Sequence, residues 1–103
     1  MCEGWATGAT LHESTGQPVA CAMNAGNLKP VALALRAKYG DQVELVIAGD
    51  DDRQTPGNPG RTSGMAAALA AGALITFPDW PASAPQSLTD FNDLAIWRAA
   101  HGC

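Results

Sequence analysis

Apolar residues along the chain fall into two kinds of run. Short apolar stretches, Val19-Ala20-Cys21-Ala22-Met23, Val43 to Ala48 and Ala73-Leu74-Ile75-Thr76-Phe77, have the length of buried strands. Between them lie longer stretches with helical signals: Trp5 to Ser14, Leu28 to Tyr39, Arg61 to Ala71 and Phe91 to Ala100. Gly16, Gly40 and Gly72 stand where these helices should stop. Pro30 is tolerated in a first turn, Asn58-Pro59 makes a helix start, and Thr89 or Asp90 caps the last helix. Pro78, Pro81 and Pro85 make the stretch from 78 to 88 irregular.

Strand–helix alternation predicts an α/β fold with a mostly parallel sheet flanked by helices. The first helix begins behind Met1-Cys2-Glu3-Gly4 with no strand before it. The expectation is a single domain over residues 1–103, a fragment of a larger protein whose first strand is largely truncated just upstream of Cys2. In the second helix, Val31 and Leu35, with Ala32 and Tyr39, form the expected buried stripe, while Lys29, Arg36 and Lys38 read as solvated. The alanines of the third helix imply close packing on the sheet.

Composition narrows the chemistry. The chain has 103 residues, 47% of them hydrophobic, which suffices for one core. Only 16% are charged, the net charge is −4, and the six basic residues are dispersed. A protein gripping nucleic acid unaided would carry a basic stripe, so phosphates must be met through metal ions or other domains. Cys2, Cys21 and Cys103 include no CxxC, which argues against structural zinc and a disulfide framework and for a cytoplasmic location. Met65 to Phe77 is the longest apolar stretch, too short to span a bilayer, and no membrane partner is expected.

The acidic residues carry the signal. Gly49-Asp50-Asp51-Asp52-Arg53 stands directly behind the strand ending at Ala48, and ligands of open α/β sheets bind beyond the carboxyl ends of strands. In extended chain Asp50 and Asp52 point the same way and Asp51 points oppositely. Such a pair suits a hard divalent ion that keeps several waters. A solvated acidic turn is the plain alternative. Glu3 behind the missing first strand, and Asp90 and Asp93 behind the proline-rich loop, belong to the same rim. Carboxylates converging from separate strand ends are what metal-assisted phosphoryl or nucleotidyl transfer needs.

Other templates fail. There is no GxxxxGK[ST], and Gly57, Gly60 and Gly64 do not make GxGxxG. An EF-hand loop starting at Asp50 would have Thr55 where glycine is needed and Arg61 where the bidentate glutamate belongs. His12, beside Glu13 and Ser14, lies on an ordinary helix and reads as a surface or half-buried residue.

The ordered set Glu3-Gly4, Asp50-x-Asp52 and Thr89-Asp90-Phe91-Asn92-Asp93 resembles a TOPRIM domain, a Rossmann-like fold. It is most similar to the version in plasmid and phage primases and primase-helicases. Glu3 to His12, Ala25-Gly26-Asn27-Leu28 and the loop from Asp50 to Gly60 carry the closer match. The resemblance implies magnesium or manganese, with Glu3 as general acid/base and metal ligand, Asp50 and Asp52 as the DxD ligands, and Asp90 and Asp93 as the later acidic motif. Arg53 and Asn27 are the candidate nucleotide or phosphate contacts. Arg53 as a solvated loop residue and Asn27 as a helix cap are their plain alternatives.

The leading expectation is therefore the catalytic domain of a DNA primase, making RNA primers from nucleoside triphosphates on single-stranded DNA. Template recognition would come from helicase or zinc-binding domains in the parent chain, and the fragment alone would be weak or inactive. A metal-dependent nuclease keeps the site and reverses the chemistry. A topoisomerase needs a nucleophilic tyrosine, and Tyr39, the sole tyrosine, is expected away from the rim. A non-enzymatic α/β interaction module is the third reading.

Overall fold

The computed structural model describes residues 1–101, so Cys103 lies outside the described residues. Its elements are α1 (Trp5–Thr15), α2 (Leu28–Tyr39), β1 (Val46–Ala48), α3 (Pro59–Ala71), β2 (Leu74–Thr76) and α4 (Phe91–Ala100), with short 3-10 turns at Ala25–Asn27 and Gly40–Gln42. β1 and β2 pair in parallel, Val46 with Leu74, Ile47 with Ile75 and Ala48 with Thr76. Cys2 forms single parallel bridges to Ala48 on one side and Cys21 on the other. One line across the sheet therefore runs Cys21, Cys2, Ala48, Thr76.

The segment Val19–Met23 is not the strand its apolar run predicts. Its partner is the three-residue stretch Met1–Glu3, so the ladder is limited to Cys2 N–H to Ala20 O at 3.0 Å, Ala22 N–H to Cys2 O at 2.9 Å and Met23 N–H to Glu3 O at 2.6 Å. A strand exists only as far as its neighbour can answer its backbone groups.

Helix boundaries follow local chemistry more closely. Gly16, Gly40 and Gly72 close α1, α2 and α3 with φ of 70°, 58° and 62°, values glycine adopts without a side-chain clash. Asn58 caps α3 by accepting from Arg61 N–H. Asp90 and Asp93 form a reciprocal capping box on α4.

The core lies where α2 and α3 cover one face of the sheet. Ala22, Leu28, Ala32, Ile47, Ala67, Ala68 and Ala71 are buried there, with Met1, Val31, Ala73 and Ile75 packed around them. Alanines let α3 approach both strands and α2 closely, and a Cβ on Gly64 would already lie 3.3 Å from Ile75. Ile47 and Ile75 face this core, whereas Val46 and Leu74, one residue earlier on each strand, are exposed. α1 packs against α4, fastened by Thr10 Oγ1 donating to Asn92 Oδ1 at 2.7 Å. Gly8 in α1 sits against Cys2 and Cys21, free thiols whose sulfurs share a hydrogen bond at 3.9 Å.

Two details of α2 correct the sequence reading. Tyr39 is exposed and Leu28 takes the buried place. Arg36 is not solvated: its guanidinium donates to the carbonyls of Ala71, Gly72, Gly40 and Val43 at 2.8 to 3.1 Å. It closes the carboxyl ends of α2 and α3 together, where a cation opposes both helix dipoles. No described helix is long and apolar enough to cross a membrane.

Candidate active site

Chain order across the sheet is second segment, first, third, fourth, so connections leave in opposite directions from Cys2 and Ala48. Such a reversal opens a crevice at the carboxyl ends of the two strands, where open α/β sheets bind ligands. Glu3 stands one residue beyond Cys2, and Asp50 two residues beyond Ala48. Two carboxylates thus flank the switch point.

Backbone bonds bring in the third acidic segment. Gly49 N–H donates to Thr76 O at 2.8 Å, extending the β1–β2 ladder, and Asp51 N–H donates to Thr89 O at 2.6 Å. That second bond draws the start of α4, with Asp90, alongside the Asp50–Asp52 turn. Gly49 is required on this path, since a Cβ there would lie 2.4 Å from the Phe77 ring.

Asp50 records the crowding. Burial, then the neighbouring Glu3 through charge and hydrogen bonding, then the charges of Asp90 and Asp52, push its carboxyl up to about 7. Its Oδ1 is buried and has no hydrogen-bond partner. A half-buried carboxyl pressed by three others, with one of its oxygens lacking any donor, is what a cation would relieve. The carboxylate oxygens are hard donors of the kind magnesium or manganese takes. Among the described residues, no three His, Cys, Asp or Glu side chains are gathered closely enough to hold an ion as placed. Asp52 Oδ2 accepts from Gly60 N–H at 2.7 Å, and Asp90 Oδ1 accepts from Asp93 N–H at 2.7 Å. Magnesium commonly takes only one or two carboxylates and completes its shell with water, so the donor set fits it.

Asp51 lives in a different environment. It is buried, and burial alone would raise its pKa. Hydrogen bonds from Asn58 Nδ2 at 2.6 Å and Arg61 Nε at 3.5 Å, the Arg61 charge and the Trp80 indole at 3.3 Å outweigh this and hold its carboxyl below the ordinary range. The alternation expected for this stretch is real: Asp50 is turned towards Glu3 and Asp90, and Asp51 towards α3 and the proline-rich loop.

The remaining candidates separate. Asp93 accepts from Thr89 N–H at 2.9 Å and Asp90 N–H at 3.4 Å, which commits it to the start of α4. Arg53 turns to the same side as Asp51. It donates to Pro85 O at 2.8 Å and Leu88 O at 3.3 Å, and its guanidinium lies 4.4 Å from the centre of the Trp80 ring. Asn27 precedes α2 but does not cap it with its side chain, which donates instead to Ala22 O at 3.0 Å. Asn24 supplies the local cap, accepting from Asn27 N–H at 2.9 Å. The sequence reading missed Asn58 and Trp80 as site-building residues. Asn58 sits in the left-handed region that asparagine tolerates, φ 42°, and also accepts from Asp52 N–H at 2.7 Å. Residues 1–100 match the Toprim domain model.

The chain belongs to the Toprim family. Two similar proteins are DNA primases TraC of Escherichia coli, one 51% identical over 80 residues and the other 46% identical over 82. The alignments cover 74% and 76% of this Toprim chain but only 7% and 6% of those proteins. No solved structure gives a significant match. Within this Toprim chain, the switch-point crevice holds Glu3 and Asp50, with Asp52 and Asp90 beside them.

Proposed function

We propose that this chain is the catalytic Toprim domain of a DNA primase of the plasmid or phage type, acting in the cytoplasm in nucleotidyl transfer for RNA primer synthesis. The observation that carries the reading is the carboxyl of Asp50, crowded by Glu3, Asp52 and Asp90 at the sheet's switch point and left with its Oδ1 buried and unpartnered. The primase relatives favour joining nucleotides over cutting DNA.

In this reading Asp50 and Asp52 hold a magnesium or manganese ion, and Asp90 completes its surroundings. When bound, such an ion neutralises and orients phosphate oxygens. Glu3, standing beside Asp50 at the crevice, takes the proton of the 3′-hydroxyl as that oxygen bonds the α-phosphorus of the incoming nucleotide and pyrophosphate leaves. Asp93 acts through Asp90, by holding the helix start that presents it. Arg53 and Asn27 hold loops on either side. Single-stranded template and nucleoside triphosphates are delivered by the parent protein, including a helicase or zinc-binding domain, because the six basic residues of this acidic chain are dispersed along it.

The test is primer synthesis by the parent protein on single-stranded DNA with Asp50→Asn/Asp52→Asn. Loss of product with template binding retained is expected, and full activity would sink the proposal. Degradation of the template by the wild type, without primer formation, would favour a nuclease instead.

A further inference from the structure

The turn after β1 divides its side chains by alternation. Asp50 faces the acidic crevice, whereas Asp51 and Arg53 both face the irregular segment from 78 to 88 and take hold of the same residue, Trp80. The indole N–H donates to Asp51 Oδ2 at 3.3 Å, and the ring lies beneath the Arg53 guanidinium at 4.4 Å. The other oxygen of Asp51 accepts from Asn58 and Arg61 at the start of α3, while its backbone N–H reaches Thr89, next to Asp90. Arg61 is fixed in turn, its guanidinium 4.0 Å from the Phe77 ring centre. Asp51 thus joins four segments: its carboxylate ties its own turn, which bears Asp50 and Asp52, to the start of α3 and to the proline-rich segment, and its backbone N–H ties that turn to the segment leading to Asp90.

We infer that Asp51, gripped by Trp80, Arg61 and Asn58, is a positioning residue that sets the spacing of Asp50, Asp52 and Asp90 and so the ion affinity of the crevice. This rests on the metal-holding reading above. A carboxylate buried only for stability would need its partners satisfied. Here those partners are the segments that place the other acids, so loosening Asp51 changes their separation. Outer partners of a metal site commonly change affinity by about tenfold or more when removed.

The experiment measures Mn2+ affinity of the full chain by electron paramagnetic resonance for wild type, Asp51→Asn, Trp80→Phe and Asp50→Asn, with circular dichroism confirming folding. Trp80→Phe removes the indole donor while leaving an aromatic ring in the segment, so it remains informative if Asp51→Asn does not fold. The expected result is wild-type binding abolished by Asp50→Asn and weakened about tenfold by Trp80→Phe, and by Asp51→Asn where it folds. Wild-type affinity in folded Trp80→Phe would overturn the positioning role and leave the metal reading standing. Wild-type binding that is absent, or unaffected by Asp50→Asn, would overturn the metal reading and this inference with it.

Discussion

Gly60, at the start of α3, lies directly against Asp50: a Cβ on it would stand 2.8 Å from Asp50 Cβ and 2.9 Å from Asp50 O. The same Cβ would be 2.8 Å from Asp52 Oδ2, the atom that accepts from Gly60 N–H. Backbone and a bonded carboxylate cannot yield cheaply, so Gly60→Ala must displace α3 from the acidic turn. The expected cost is about 1–3 kcal/mol in urea unfolding, the usual penalty for overpacking, together with loss of the Asp52–Gly60 bond. Unchanged stability and an unchanged Gly60 amide shift would contradict the packing described.

Asp50 gives the chain a distinctive pH dependence without metal. Its folded carboxyl is pushed up to about 7, so between about pH 4 and pH 7 the native state holds a proton that the unfolded chain releases. Its contribution is favourable below that window and is lost as pH rises through it. Asp50→Asn removes the dependence and is expected to be more stable than wild type at pH 8 by about 1–2 kcal/mol, allowing for the carboxyl's half exposure. Asp51, with its lowered carboxyl, works in the opposite sense at lower pH, and the difference between the two unfolding profiles isolates Asp50. Urea titrations from pH 4 to 8 in chelator measure it, and parallel profiles would refute the crowding.

Asp90 has two separable jobs. Its side chain caps α4 through Asp93 N–H, and its charge helps to raise Asp50. Asparagine caps about as well as aspartate, whereas alanine loses about 1 kcal/mol. Asp90→Asn should therefore keep its stability while moving the Asp50 titration, followed by carbon NMR of its carboxyl, below about 7. Asp90→Ala should move it likewise and also destabilise the fold. If neither variant moves that titration, Asp90 does not belong to the crevice.

The sequence made local features legible and non-local ones only by direction. α2 and α4 begin and end where Leu28, Gly40, Asp90 and the apolar spacing place them, because caps and turns act within a few residues. The Val19–Met23 run carried no information about how few residues would answer it across the sheet. For the same reason Asp51 could be turned away from Asp50 by alternation alone, while its partners Arg61 and Trp80, ten and twenty-nine positions on, could not be named. Glu3, Asp50, Asp52, Asp90 and Asp93 stand out in the sequence by their number and order, and the structure brings the first four of them together around Asp50. Trp80 lay unread in a segment whose prolines signalled only irregularity.

Arg36 provides the most direct test of how the core is closed. One half-buried guanidinium satisfies carbonyls of Gly40 and Val43 after α2, and of Ala71 and Gly72 at the end of α3. Replacing it with methionine keeps the aliphatic stem but leaves four acceptors without their shared donor, where α2 and α3 bury the alanines of the core. The expected loss is about 1–2 kcal/mol, since hydrogen bonds from a charged group are strong and the bond to Ala71 O is partly buried, while water can reach the other three carbonyls. Lysine restores the charge but not the planar fork, so Arg36→Lys should recover less than half of that loss. Because Arg36 lies at the amino end of the strands, opposite the acidic crevice, the folded fraction of Arg36→Lys should bind Mn2+ with wild-type affinity. Urea unfolding alongside Mn2+ titration checks both parts. A stability change under about 0.5 kcal/mol in Arg36→Met, the range of an ordinary surface substitution, would mean that the four contacts do not close the two helices.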